Sequence, residues 1–303
     1  MRRLLVVYNP YSSNYVRVKN EVLSKLPELN GFIIGKFLIE KAPFEENVAR
    51  LIKVLQDGDL VLSAGGDATA AVCANSILTS GKDATLSVLP YGNFNDLART
   101  LRTFKLDDVL KTDFKSVDLY PLDIVADGKH WRYATCYVTI GMTAEAVKLF
   151  DDKKIRKKLQ KGHKSSWRSY IYLARWYFKN RRKKVFIPEF KINGVLQHKK
   201  TSDYAAVNGR SMSRVMKGGE DYLKPEIFRS ETDRLATNLW RLTKLMTKSI
   251  LSRVPGKDTK GDTLEFLEPS TVELQAEGEY KTFENVKRIE IRKTKKCLKV
   301  IQN

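Results

Sequence analysis

The chain has 303 residues, above the size at which a single hydrophobic core usually stops growing, so two domains are expected. Hydrophobic residues make up 42% and aromatics 10%, enough for ordinary cores, which excludes a largely disordered chain. The 55 Lys+Arg against 35 Asp+Glu leave a formal charge of +20, a balance that favours polyanionic partners: nucleic acid, an anionic membrane surface or phosphate-bearing substrates.

The first 120 or so residues alternate strand and helix signals. Leu4–Tyr8 is a short apolar run, followed by a polar turn and a helical pattern from Val16 to Leu26. Gly31–Ile39 reads as a strand and Phe44–Leu55 as a helix, with Val48, Leu51, Ile52 and Leu55 on one face. Asp59–Ala64 is a buried strand, Ala68–Leu78 a helix, Thr85–Leu89 a strand and Asn95–Leu101 the start of a further helix. Such alternation means a parallel sheet covered on both faces, with ligands at the C-terminal ends of its strands. From about Leu119 the texture changes. Leu122–Asp127, Trp131–Ile140, Val185–Ile192, Ala205–Asn208, Leu264–Glu268 and Val272–Glu277 read as strands without intervening helices, hence an antiparallel β domain. Helices are expected near 166–180 and 233–252.

Cys73, Cys136 and Cys297 are far apart and have no ligand spacing, which speaks against a disulfide framework or a zinc site and fits a reducing cytosol. His130, His163 and His198 show no ligand spacing either and read as surface or strand residues; Trp131 and Trp240 read as core. The apolar run near Met1 is too short for a signal peptide, and no stretch approaches the roughly 20 apolar residues of a membrane span. Any membrane contact is therefore expected to be peripheral.

Two segments repeat one local design. Asp59–Thr69 runs from a strand through Gly65-Gly66-Asp67 into a helix; two adjacent glycines let the backbone adopt positive φ and approach a ligand closely, and a helix start offers free N–H groups to an anion. Read alone, it is equally a tight turn with an N-cap Asp. Leu86–Arg99 repeats the scheme through Pro90-Tyr91-Gly92-Asn93-Phe94-Asn95-Asp96, and Asn9-Pro10-Tyr11-Ser12-Ser13 follows the first strand. Near the C-terminus stands Gln275-Ala276-Glu277-Gly278-Glu279, by itself no more than a hairpin turn.

These four segments, in this order, resemble the motifs of the diacylglycerol kinase catalytic-domain superfamily: Asn-Pro-x-Ser-Gly, Gly-Gly-Asp-Gly-Thr, Pro-x-Gly-Thr-x-Asn-Asp-Phe-Ala-Arg and Asp-Gly-Glu. Diacylglycerol, sphingosine and bacterial lipid kinases belong to it, and NAD kinases more remotely. The resemblance implies an NAD-kinase-like α/β nucleotide-binding domain, residues 1–121, followed by an antiparallel β-sandwich for the lipid, residues 122–287, with the tail from about 288 to 303 returning to the first. Carried over by motif, ATP would contact Asn9, Ser12, Gly65, Gly66, Asp67, Ala68, Thr69, Ala70, Ala71, Gly92, Asn93, Asn95 and Asp96, with Mg²⁺ as the second cofactor. Glu279 stands where the proton acceptor is expected, with Glu277 and Asp67 as supporting carboxylates. The implied activity is transfer of the ATP γ-phosphate to a hydroxyl of a diacylglycerol-like or sphingoid lipid. The alternative is a catalytically inactive member that binds nucleotide as a regulatory module. The chain departs from the motifs at Ser13, Ala68, Ala71, Val72, Asn93 and Glu277.

Between Lys153 and Lys184 lie fourteen Lys/Arg and no acid, with Trp167, Tyr170, Ile171, Ala174, Tyr177 and Phe178 at spacings of three and four. One reading is docking on an anionic membrane, which would suit a cytoplasmic enzyme acting on a bilayer lipid. The other is a helix packed on the β domain, its stripe core and its charges a solvated face. No nucleic-acid motif supports a specific nucleic-acid partner. A homodimer is left open.

Overall fold

The computed structural model describes residues 2–12, 14–110, 115–148, 165–180, 182, 187–209, 212, 226–232, 234–251, 257–258 and 261–303. Ser13, His163, the basic run 153–164 with 181, 183 and 184, the strand start expected at 185–186 and the helix end at 252 lie outside them, as do the side chains of Trp167 and Tyr170. Two compact units make up the chain: Met1–Pro121 with Lys295–Asn303, and Leu122–Thr294.

In the first unit β1 (Arg2–Tyr8), β2 (Phe32–Leu38), β3 (Leu60–Gly65) and β4 (Thr85–Pro90) form a parallel sheet. β5 (Lys115–Leu119) and the C-terminal strand β16 (Leu298–Gln302) complete it in the order β2-β1-β3-β4-β16-β5. β16 runs parallel to β4, and β5 antiparallel to β16. Leu4–Val7 and all of β3 are buried because both faces of the sheet are covered, so these strands read as continuous apolar runs. α2 (Phe44–Val54), α3 (Asp67–Ser80), α4 (Asp96–Leu101) and α5 (Leu106–Leu110) follow their strands. Thr69–Leu78 of α3 are all buried, as their small and apolar side chains allow on every face of a central helix. The helical pattern after β1 divides into α1 (Tyr15–Val18), a π turn Lys19–Leu23 and a 3-10 turn Leu26–Glu28, where Pro27 lacks the N–H of a continuing helix.

Among the described residues the second unit is one 10-stranded sheet, in which β13 (Lys257–Asp258), β12 (Glu226–Ser230), β11 (Asp203–Val207), β8 (Tyr137–Gly141), β14 (Gly261–Ala276), β15 (Glu279–Lys293), β6 (Leu122–Ala126) and β7 (Lys129–Ala134) are successive neighbours, while β9 (Phe190–Ile192) pairs with β14 and β10 (Val195–Leu196) with β9. Its long members are β14 (Gly261–Ala276) and β15 (Glu279–Lys293). β14 joins the two strands expected at Leu264–Glu268 and Val272–Glu277: the register shifts between Glu265 and Val272, around Pro269, which cannot donate to the ladder, and the strand resumes. β14 pairs with β9 (Phe190–Ile192) before the shift and with β8 (Tyr137–Gly141) after it. Leu264, Leu274, Ile140, Ile192, Tyr204 and Ile289 share one apolar core, so the bent sheet closes into the sandwich.

Arg288–Lys293 belong to β15, paired with β6 (Leu122–Ala126), and the segment in the first unit starts at Lys295. The single strand expected at Trp131–Ile140 is two, β7 (Lys129–Ala134) and β8, separated by Thr135 and Cys136. β11 (Asp203–Val207) and β12 (Glu226–Ser230) extend the sheet beyond β8. α6 (Met142–Val147), α7 (Ser165–Asn180) and α8 (Leu235–Leu251) pack through Met142, Tyr177 and Leu235, against which Trp176 and Leu239 lie.

Candidate active site

The order β2-β1-β3-β4 reverses chain direction at β1, and such a switch point opens a crevice beyond the C-terminal ends of β1 and β3. Three loops meet at this edge. After β1, Asn9 Oδ1 accepts from the Tyr11 N–H at 2.8 Å, an Asx turn that folds the loop back on itself. Ser12 Oγ is buried there without a hydrogen-bond partner. Asn14 Nδ2 reaches the Gly92 carbonyl at 3.4 Å and ties this loop to the one after β4.

The Gly65-Gly66-Asp67 and Pro90–Asn95 loops are fitted backbone to backbone. None of Gly65, Gly66 and Gly92 has a positive φ, so the conformational freedom expected of them is not what the fold uses. The need is steric. A Cβ on Gly92 would lie 2.4 Å from Gly66 Cα, and one on Gly66 2.9 Å from Gly92 Cα. A Cβ on Gly65 would lie 2.4 Å from Thr69 Oγ1.

Asp67 locks this contact. Its Oδ2 accepts from the Asn95 N–H at 2.8 Å and its Oδ1 from the Asp96 N–H at 2.7 Å, so the first residue of α3 caps α4. Asn95, in the left-handed region at φ 57°, accepts from the Gly92 N–H at 2.6 Å and donates to the Gly92 carbonyl at 2.9 Å. Asparagine tolerates that conformation better than most residues. Behind the loop Tyr91 hydroxyl donates to Glu21 at 3.1 Å, and burial together with Glu21 raises its pKa.

Ala68, the departure within the Gly65–Thr69 segment, lies inside the first turn of α3 with a negative φ, so alanine strains nothing there. Thr69, Ala70 and Ala71 are buried side chains of α3, as is Val72, whereas Gly66, Asp67, Ala68, Gly92 and Asn93 remain partly accessible. The three loops thus bring Asn9, Ser12, Gly65, Gly66, Asp67, Ala68, Gly92, Asn93, Asn95 and Asp96 to one edge of the sheet. Asn14, which no sequence signal marked, belongs to the same network.

In the second unit Glu277 and Gly278 form the two-residue turn between β14 and β15, with Ala276 opposite Glu279. Both turn residues have positive φ, 52° and 90°. Glu279 is half-buried at the first position of β15. Glu277 is only 4% exposed; its Oε1 accepts from the Thr135 hydroxyl and from the Cys136 N–H at 2.5 Å. Burial raises its pKa to about 7, against the opposing pull of these donors and of Arg132. The Asn208 amide continues this network, donating to the Thr135 carbonyl at 3.0 Å and accepting from Lys293.

On α7 Tyr177 is buried, while Phe178 is 66% exposed beside exposed Arg175 and Lys179. Trp240, expected in the core, is 63% exposed on α8, with Lys244 Nζ 5.1 Å from its ring centroid. Trp131 packs edge-on against Phe283 at 5.4 Å. His130 binds Asp123 at 2.7 Å and His198 is exposed. Among the described residues no helix is long and apolar enough to cross a membrane, and no three His, Cys, Asp or Glu cluster as a metal site.

Residues 3–122 match the model of the diacylglycerol kinase catalytic domain. The chain is similar to a diacylglycerol kinase of Bacillus subtilis, 32% identical over 37% of this chain and 36% of that protein. It is also similar to one of Staphylococcus saprophyticus, 30% identical over 43% of this chain and 39% of that protein. The matched stretches span under two fifths of these curated relatives. A crystal structure of a diacylglycerol kinase from Bacillus anthracis superposes with a TM-score of 0.65 at 16% identity, covering 100% of this chain and 97% of that one. The shared fold is an NAD-kinase-like α/β domain followed by a β-sandwich.

Proposed function

Because this chain belongs to the diacylglycerol kinase catalytic-domain superfamily, we propose that it is an ATP-dependent lipid kinase, moving the γ-phosphate to a hydroxyl of a diacylglycerol-like or sphingoid lipid. The observation that carries the reading is the fusion of the Gly65-Gly66-Asp67 and Pro90–Asn95 loops at the switch point of the sheet. Backbone pressed this close, at the start of α3, suits a phosphate chain, because helix N-terminal N–H groups and the helix dipole favour anions. Asp67 holds the two loops together through both of its carboxylate oxygens.

Phosphoryl transfer rests mainly on positioning and charge neutralisation, with a carboxylate to take the proton of the attacking hydroxyl. We assign that proton to Glu279. Mg²⁺ suits this donor set as an ion that arrives with the nucleotide: it needs only one or two protein carboxylates besides phosphates and water, and no larger protein cluster is found among the described residues. When bound it would neutralise phosphate charge, and Asp67 is the carboxylate of this loop that would hold it. Peripheral docking on an anionic bilayer, in the cytoplasm, completes the proposal; exposed Phe178 and Trp240 on two helices without acidic residues support it.

A second reading, nucleotide binding without turnover, draws on Glu277, whose carboxylate is buried and engaged within its own unit. Transfer of ³²P from labelled ATP with Mg²⁺ to a panel of lipids in mixed micelles, with NAD as control acceptor, separates the two. A labelled lipid is expected; no product, with ATP binding intact by calorimetry, would favour the second reading. Glu279→Gln is expected to lower kcat by about 10²–10⁴-fold, the range of general base catalysis, with an unchanged melting temperature.

A further inference from the structure

The β14–β15 turn is built on a residue that such turns disfavour. Two-residue hairpin loops with positive φ at both positions select Asn, Asp or Gly at the first, and glutamate at φ 52° carries a conformational cost. A cost of this kind persists only where the surroundings fix the residue, and here they do. The Glu277 side chain turns into the unit, and its Oε1 gathers the Thr135 hydroxyl and the Cys136 N–H, the two residues that part β7 from β8. Cys136 carbonyl in turn accepts from the Asn208 N–H at 2.6 Å and the Gly209 N–H at 3.2 Å, and the Asn208 side chain links the Thr135 carbonyl to Lys293 at the far end of β15. One carboxyl oxygen thus joins the tip of the hairpin to the β7–β8 corner, which Asn208 and Gly209 tie in turn to the end of β11. Glu279 begins β15 directly after the turn.

We propose that Glu277 is a positioning residue, a hydrogen-bond acceptor that clamps the hairpin tip on the Thr135–Cys136 corner and thereby sets the backbone from which Glu279 works. It is neither a second base nor a metal ligand. The proposal rests on the lipid kinase reading for its consequence in turnover, but not for the clamp itself. Its signature follows from the geometry. A single oxygen accepts both the Thr135 and the Cys136 bond, and a glutamine carbonyl can do the same without any charge. A carboxylate acting on substrate or metal has no such substitute.

The test compares Glu277→Gln, Glu277→Ala and Thr135→Val in the full chain, by steady-state kinetics and by hydrogen exchange of the 279–283 amides. Misplacement of a reacting group by about 1 Å costs on the order of 100-fold, so Glu277→Ala is expected to lower kcat about that much with KM for ATP nearly constant. Glu277→Gln should stay within about tenfold of wild type, with Thr135→Val between the two. Exchange of residues 279–283 should quicken at least tenfold in Glu277→Ala and stay at the wild-type rate in Glu277→Gln. Glutamine as inactive as alanine with slow exchange would overturn the proposal by showing that the charge is what matters. Unchanged exchange in the alanine variant, or in Thr135→Val should alanine not fold, would overturn it equally. The expected exchange pattern in a protein that labels no lipid would uphold the clamp and sink the kinase reading alone.

Discussion

Replacing Gly92 by alanine tests the idea that the two glycine loops act as one fitted surface. The new Cβ would lie 2.4 Å from Gly66 Cα and 2.9 Å from Asn95 Oδ1, whereas carbon atoms rest at about 3.5–4.0 Å. The main obstacle is backbone, so no rotamer change relieves it and the loops must part by about 1 Å or more. Overpacking of this kind costs about 1–3 kcal/mol. The parting also strains the Gly92–Asn95 pair of hydrogen bonds at 2.6 and 2.9 Å, worth about 1 kcal/mol each. A loss of about 3–5 kcal/mol should lower the melting temperature by roughly 10–20 °C for a unit of this size. Gly31→Ala is the control: its φ is +91° but nothing lies within 4 Å, so only conformational strain of about 1 kcal/mol applies. Circular dichroism melts and calorimetric titration with ATP follow stability and binding together. Gly92→Ala melting within 2 °C of wild type, or no lower than Gly31→Ala, would refute the argument that steric contact is what these glycines supply.

Asp67→Ala removes the acceptor for both N–H groups at the start of α4 and should cost about 2–4 kcal/mol as well as turnover, Asp67→Asn recovering part of the stability; lost turnover at an unchanged melting temperature would confine Asp67 to ligand contact. A pH series of urea melts tests the second unit. Buried Asp203, held by the Thr143 hydroxyl and N–H, has its pKa raised to about 7 by burial, as Glu277 has. An acid with a raised pKa binds its proton more tightly folded than unfolded, so its favourable contribution is complete below about pH 4 and is lost as pH rises to about 7. Asp203→Asn should flatten that decline, and an unaltered slope between pH 4 and 7 would contradict the assignment.

The α/β unit was legible because its chemistry is local. A continuous apolar run as short as Leu60–Ala64, bounded by Gly58 and by the Gly65-Gly66 pair, reads as a strand covered on both faces. The second unit was legible only in outline. β15 carries so many charges, from Lys281 to Arg292, that no alternation stands out, and its identity as a strand comes from β14 and β6 on its flanks. Trp240 was misplaced for a related reason: aromatics on α7 and α8 recur at core spacing, but only the register of Tyr177 against Leu235 decides which of them turn inward.

At the site, sequence spacing named the loops but not what each residue does in them. A Gly-Gly-Asp segment suggests positive φ and a carboxylate free for metal; instead the glycines permit contact between two backbones, and the aspartate spends both oxygens on N–H groups of the next loop. Glu277 shows the same gap. Its motif position suggested a catalytic partner of Glu279, yet its donors, Thr135 and Cys136, lie 142 and 141 residues away and inside a stretch that reads as one unbroken strand. Spacing along the chain constrains which chemistry a residue type can offer, while the three-dimensional placement of hydrogen-bond donors decides whether a carboxylate is free to act or committed to holding the fold. Of the three carboxylates proposed for catalysis, Asp67 and Glu277 hold the fold in this way, and Glu279, half-buried at the first position of β15, is the one to mutate first because it is the proposed proton acceptor.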